Sequence, residues 1–271
     1  MDRYAVIGNP VAHSKSPQIH AEFAAANGQA MSYERLLAPL EDFPGTLQRF
    51  QREGGVGANV TLPFKLEAYA AATEHSARAV QAGAVNTLVW RGDHWFGDNT
   101  DGVGLVRDLR QNIGCRVTDM RVLVLGAGGA ARGILGPLLA VHPAMLAISN
   151  RTVKKADELA ALFAEDGPIV SETARNLIGQ SFDLVVNATS SSVADSAHPL
   201  PWPDGLFAPG ALAYDLMYAQ EPTSFLRWAE AQGATRLADG LGMLVEQAAE
   251  SFFLWRGLRP ATRPVLESLR A

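Results

Sequence analysis

Short apolar runs alternate with stretches of helical spacing from the first residues onward. Residues 4–8, 32–37 and 56–61 read as strands, and residues 17–27 and 40–52 place apolar side chains at helical intervals. This βαβαβ order predicts a largely parallel sheet covered on both faces. Residues 84–90 and 95–96 then read as a hairpin around Arg91-Gly92-Asp93, followed by a helix over 99–111. A second alternation predicts strands at 121–125, 145–149, 183–189 and 211–216, with a helix at 241–256. No Ser/Gly-rich or Pro-rich tract separates the halves, so the 99–111 helix is expected to join two domains directly, and the 241–256 helix to return to the first. The expected class is α/β with two domains.

The composition agrees with that division. At about 150 residues per domain, 271 residues suit two modest cores, and 48% hydrophobic against 19% charged residues is the balance of a folded globular chain. The 23 basic and 28 acidic side chains leave a net charge of −5, which disfavours nucleic acid and anionic membranes in the absence of a basic patch. The single cysteine, Cys115, cannot form an internal disulfide, which suits a reducing, cytoplasmic compartment. The first apolar run is too short for a signal peptide, and no stretch reaches the roughly 18 apolar residues of a membrane span.

The strongest chemical signal follows the strand at 121–125. Gly126-Ala127-Gly128-Gly129-Ala130-Ala131 fits G-x-G-x-x-A between a buried strand and a helical segment. Gly126 permits the tight turn, Gly128 lets the main chain approach a pyrophosphate, and Ala131 is small enough for close packing of helix on strand. The free N–H groups and dipole of the helix start favour the phosphates. An NAD site usually has Asp or Glu about 20 residues on, at the end of the next strand; this chain has Asn150-Arg151-Thr152, followed by Lys154 and Lys155. A guanidinium there pairs with a 2′-phosphate, so NADP is expected rather than NAD. Cations are unfavourable at a helix start unless an anion joins them. The next strand end, Asn187-Ala188-Thr189-Ser190, is another ligand-collecting edge. Its match to a glycosylation signal is accidental in a buried strand end.

A dinucleotide-linked oxidoreductase also needs groups that hold a substrate and move a proton. Four polar clusters punctuate the first half at strand ends: Ser14-Lys15-Ser16-Pro17, Asn59-Val60-Thr61-Leu62-Pro63-Phe64-Lys65, Asn86-Thr87 and Asp98-Asn99-Thr100-Asp101-Gly102. In a parallel sheet such ends share one edge and converge. Each has an ordinary explanation as a helix start, solvated lysine or cap, although one cap suffices for the helix after Asp98 and Asp101 is left over. The six histidines lack metal-ligand spacing, and no P-loop or G-x-S-x-G elbow is present, so no metal is expected.

Taken in order, Gly8-Asn9-Pro10, the four clusters, Gly83-Ala84-Val85, the glycine turn, Asn150-Arg151-Thr152, Tyr214-Asp215, Tyr218 and Asp239-Gly240-Leu241-Gly242-Met243-Leu244 closely resemble the shikimate dehydrogenase family over essentially the whole chain. The resemblance implies a substrate-binding domain at 1–101, completed by helices within 241–271, and a Rossmann-type NADP-binding domain at 102–240. It implies reversible NADPH-linked reduction of 3-dehydroshikimate to shikimate in aromatic amino-acid biosynthesis, by a monomer or homodimer. Ser14 and Ser16 are implied to hold the substrate carboxylate, with Thr61, Asn86, Asp101, Tyr218 and Gln247 around the ring hydroxyls. Lys65 and Asp101 form the implied catalytic pair. On the cofactor side stand Gly126, Ala127, Gly128, Gly129, Ala130, Asn150, Arg151, Thr152, Lys155, Leu216 and Gly240.

Hydride reduction of a ketone develops negative charge on oxygen, which a positioned ammonium stabilises and protonates. Lys65 is therefore expected to act as general acid in reduction and as base in oxidation, with oxidation favoured at alkaline pH. Departures from the family pattern are Ala77, where relatives often carry an acidic residue, and Leu216, where some have Met. Two other readings share these residues: a quinate/shikimate dehydrogenase that also takes NAD, and a non-catalytic NADPH sensor. The first is disfavoured by the missing acid at 150–152, the second by the presence of both Lys65 and Asp101.

Overall fold

The computed structural model describes residues 1–189 and 202–271, so Ser190 lies outside the described residues. The chain divides into two units, Met1–Leu105 joined by Leu244–Ala271, and Val106–Met243.

The first unit begins β1 (Asp2–Gly8), α1 (Ser16–Ala26), β2 (Met31–Leu37), α2 (Phe43–Arg52) and β3 (Gly55–Val60). It continues α3 (Lys65–Ala71), β4 (Glu74–His75), α4 (Ala77–Ala82), β5 (Thr87–Trp90), β6 (Trp95–Asp98) and the start of α5 (Asp101–Arg107), whose end, from Val106, and the π-helical turn at Asp108–Asn112 belong to the second unit. Its sheet has the order β2-β1-β3-β5-β6-β4. Tyr4, Ala5, Val6 and Ile7 of β1 are all buried, as expected for a central strand covered on both faces. On one face, Phe43, Leu47 and Phe50 of α2 and Ala68 of α3 pack with Ile7, Val60 and Leu88. Elsewhere in this unit Ile19 and Phe23 of α1 meet Val245, Ala248, Ala249 and Phe252 of the late helix described below. Asp42 caps α2 by accepting from Gly45 N at 2.9 Å, and Ser76 caps α4.

The strand-end clusters do not meet in the way a wholly parallel sheet implies. β1, β2 and β3 are parallel, but β5 runs antiparallel to both β3 and β6. The tight turn between β5 and β6 reverses the chain, whereas a parallel pair needs a long crossover. It is therefore the beginning of β5 that lies beside the end of β3, with Asn59 opposite Thr87, and Thr87 opposite Asp98 of β6.

The second unit contains β7 (Arg121–Leu125), α6 (Gly129–Leu139), β8 (Met145–Ser149), α7 (Val153–Leu162) and β9 (Ile169–Ser171). Then come β10 (Phe182–Asn187), β11 (Phe207–Asp215), α8 (Ser224–Ala231) and β12 (Arg236–Ala238). The chain ends with α9 (Leu241–Arg256) and α10 (Arg263–Arg270). All strand pairs of the second sheet are parallel, in the order β12-β11-β10-β7-β8-β9. Numbered from β7, this is the 3-2-1-4-5-6 order of a doubly wound dinucleotide fold, with its switch point between β7 and β10. Val122, Leu123, Val124 and Leu125 are fully buried, and Leu123 and Leu125 pack with Phe182, Val185 and Phe225.

Candidate active site

In the first unit the chain leaves β3 at Val60 and turns through Thr61–Phe64 before α3 begins at Lys65. Phe64 is fully buried and stacks on Phe43, their centroids 5.2 Å apart, which anchors the turn and places Lys65 at the helix start. Gly8 lies against this turn: a Cβ there would stand 2.3 Å from Thr61 Cγ2 and push the Thr61 side chain aside. Asp101 opens α5, where Asn99 Oδ1 accepts from its N–H at 3.2 Å. Lys65 Nζ meets Asp101 Oδ2 at 2.5 Å, both side chains largely withdrawn from solvent. Asn86 Nδ2 donates to the other carboxylate oxygen at 2.8 Å. Gln247 Oε1 accepts from Asn86 Nδ2 and Thr100 Oγ1, each at 3.3 Å.

Asp98 belongs to a different arrangement. Arg78 grips its carboxylate with two bonds of 2.6 and 2.7 Å and reaches Glu250 at 3.0 Å, while Arg259 also bonds Glu250. Ser76 Oγ and Asn99 N donate to Asp98 Oδ1 at 2.5 and 2.7 Å. Asp98 is thus occupied in holding the segment that presents Asp101. Near the start of α1, Ser14 Oγ donates to Ser16 Oγ at 3.2 Å, and Arg35 donates twice to the Ser14 carbonyl.

In the second unit β7 ends at the glycine turn. Gly126 has φ +112, and a Cβ there would meet Ala188 main-chain atoms at 3.0 Å, so both the turn and the neighbouring strand require glycine. Positions that a Cβ would take on Gly128 and Gly129 face open space, leaving the start of α6 clear for an anion. After β8, Asn150 Nδ2 donates to Thr152 O at 2.9 Å and shapes the turn into α7. Arg151 and Lys155 are exposed and make no side-chain ion pair among the described residues. The first turn of α7 holds no acid. These cations at a helix start suit a phosphate monoester, so the residues fit NADP.

The family model described as Shikimate dehydrogenase substrate binding domain matches residues 6–88, that described as Shikimate / quinate 5-dehydrogenase matches 108–194, and that described as Shikimate 5'-dehydrogenase C-terminal domain matches 240–270. A protein of Nitrosospira multiformis named Shikimate dehydrogenase (NADP(+)) is 59% identical over 100% of this chain and 98% of its own. The chain belongs to the shikimate dehydrogenase family. Among solved structures, an Ael1 enzyme from Pseudomonas putida is 47% identical with a TM-score of 0.90, covering 100% of this chain and 99% of that one. Shikimate 5-dehydrogenase from Thermus thermophilus, in complex with NADP(H) and shikimate, is 36% identical with a TM-score of 0.87, covering 100% and 99%.

In this member of the shikimate dehydrogenase family, Lys65, Asn86, Asp101 and Gln247 form one bonded group in the first unit, although Gln247 comes from α9. Ser14 and Ser16 form a pair of their own, and Thr61 lies in the turn before Lys65. Tyr218 falls in the other unit, partly buried in the segment after β11. Leu216 and Gly240 are brought together: a Cβ on Gly240 would stand 2.1 Å from Leu216 O. The sequence marks neither Arg78 nor Ser251, and His20 only as one of six histidines without metal-ligand spacing. Arg78 and Ser251 sit at unremarkable helical positions, and their partners lie 20 and 192 residues away in Asp98 and Asn59. His20 fits the apolar face of α1 with Ile19 and Phe23, and only its burial distinguishes it.

Proposed function

We propose that the chain catalyses the reversible, NADPH-linked reduction of 3-dehydroshikimate to shikimate, as a cytoplasmic enzyme, monomeric or homodimeric, of aromatic amino-acid biosynthesis. The observation that carries this reading is the Lys65–Asp101 contact of 2.5 Å, placed by two helix starts in a chain that also holds a complete doubly wound dinucleotide unit. Names borne by full-length relatives support the same substrate and cofactor. No helix among the described residues is long and apolar enough to cross a membrane.

Residues 1–101 with the helices of 241–271 act as the substrate half, and 102–240 as the cofactor half. Ser14 and Ser16 hold the carboxylate; Thr61, Asn86, Asp101, Tyr218 and Gln247 select the ring hydroxyls. When bound, NADPH supplies the hydride. Gly126–Ala130 accept its pyrophosphate at the start of α6, Asn150, Arg151, Thr152 and Lys155 take the 2′-phosphate end, and main chain near Leu216 and Gly240 lines the remainder. As charge grows on the ketone oxygen, Lys65 donates the proton that completes the alcohol; in oxidation it takes that proton back. Asp101 accepts from Lys65 and fixes where the ammonium points. A cation held in a largely dry site needs little reorganisation as the oxyanion forms.

The test is absorbance at 340 nm with shikimate or quinate offered against NADP or NAD. Turnover of shikimate with NADP is expected. Inactivity in every combination overturns the proposal, and preference for quinate with NAD replaces it.

A further inference from the structure

Behind the Lys65–Asp101 contact lies a set of buried polar side chains with no assigned part in the reaction. Asn59, Thr87, Thr100 and Ser251 are all at most 5% exposed. Tyr33 O–H donates to Asn59 Oδ1 at 2.7 Å, which turns the Asn59 nitrogen inward. Desolvation holds the Tyr33 phenol well above its ordinary pKa, against a smaller opposite pull from Ser16, so the phenol keeps the proton it gives to Asn59. Asn59 Nδ2 then donates to Ser251 Oγ at 2.9 Å and to Thr87 Oγ1 at 3.2 Å. Ser251 Oγ is itself 2.8 Å from Thr87 Oγ1. Asn59 Nδ2 occupies a lone pair of the Thr87 hydroxyl, the Ser251 hydroxyl donates to the Gln247 carbonyl at 3.1 Å, and the Thr87 hydroxyl donates to Asn86 Oδ1, 2.9 Å away.

Asn86 Oδ1 also accepts from the Thr100 main-chain N–H at 2.8 Å. A main-chain N–H cannot face an amide nitrogen, so the orientation of the Asn86 amide is set: oxygen toward Thr87 and the Thr100 N–H, nitrogen toward Asp101, the Thr100 hydroxyl and Gln247. Thr87 and Thr100 approach that oxygen from two different strand ends, which pins the amide plane as well as its direction. Asp101 is thereby held at both carboxylate oxygens, by Asn86 at one and Lys65 at the other.

We propose that Thr87 is a positioning residue for the Lys65–Asp101 pair, its hydroxyl pinning the Asn86 amide that holds Asp101. This rests on the proposed function only for its kinetic consequence. Thr87→Val keeps the shape of the side chain and removes the hydroxyl, whereas Thr87→Ser keeps the hydroxyl and removes a methyl. For loss of one buried hydrogen bond that acts through Asp101, kcat for shikimate with NADP is expected to fall about tenfold while KM changes by less than about twofold. Thr87→Ser should recover most of kcat. A second readout is hydrogen exchange of the Asn86 side-chain amide followed by ¹⁵N NMR, the resonance being assigned from its loss in Asn86→Ala. Exchange is expected to be slow in the native chain and faster in Thr87→Val.

Unchanged kcat and unchanged exchange in Thr87→Val overturn the assignment. So does a Thr87→Ser variant as impaired as Thr87→Val, since that makes packing the cause. Should Thr87→Val not fold, Thr87→Ala against Thr87→Ser gives the same contrast without placing a methyl against Asn86. A native chain inactive on shikimate overturns the functional reading instead, and the exchange measurement still decides the role of Thr87.

Discussion

His20 makes acid stability of the first unit a sharp test of the structure. Its ring is fully buried, stacked on Tyr33 with centroids 4.3 Å apart and flanked by Phe23, Phe252 and Trp255. Among the described residues neither ring nitrogen meets a hydrogen-bond partner; Asn59 stands close enough to favour the charged form slightly without meeting bonding geometry. Burial brings the imidazole pKa down from 6.5 to about 3. The folded state therefore refuses a proton that the unfolded chain accepts near 6.5, so the stability held above that pH is lost progressively as pH falls toward 3. At about 1.36 kcal/mol per pH unit, the loss from this group is about 2.5 kcal/mol between pH 7 and pH 4.5. His20→Phe keeps an aromatic ring in the stack and abolishes the titration. Urea unfolding of both proteins at the two pH values, followed by tryptophan fluorescence, isolates the histidine's contribution, because the carboxylates common to both cancel. The native chain should lose about 2.5 kcal/mol more than His20→Phe. Equal losses would falsify the account of His20 as a neutral, desolvated imidazole.

Lys65→Ala should lower kcat for shikimate oxidation by about a thousandfold with a modest change in KM, the size expected for loss of a general acid–base; near-normal kcat in the 340 nm assay rules out the proton-transfer role. Arg151→Asp should raise KM for NADPH at least about tenfold, through loss of one charge-assisted hydrogen bond, and leave NADH less affected; unchanged KM for both refutes the 2′-phosphate assignment. Arg78→Met leaves Asp98 and Glu250 buried without the guanidinium they share. It should cost about 3 kcal/mol of stability at pH 7 in urea unfolding, and a loss below about 1 kcal/mol shows that the carboxylates find other partners.

The chain alone determined the order of the longer elements, because apolar periodicity acts over a few residues; short ones such as β4, α4, β9 and β12 span too few residues to show a period and appear only on folding. It also carried the glycine turn at Gly126, whose need for φ +112 restricts that position to glycine, and the cations at 151–155, whose conflict with the helix dipole is local. Asp101 was legible as a carboxylate surplus to capping, whereas Lys65 reads as a solvated lysine until the family resemblance marks it. The family resemblance implies their pairing; the contact of 2.5 Å follows from the β5–β6 hairpin, which turns β6 back to run the same way as β3 so that both strands end at one edge, where the start of β5 also brings Asn86. The same packing sends Ser251 to Asn59 across 192 residues and leaves His20 without a partner among aromatic rings. Strand direction, burial and long-range hydrogen bonds are set when hydrophobic faces close on one another. Periodicity supplies the faces, and only their closure decides which polar groups are trapped between them and in what order they bond.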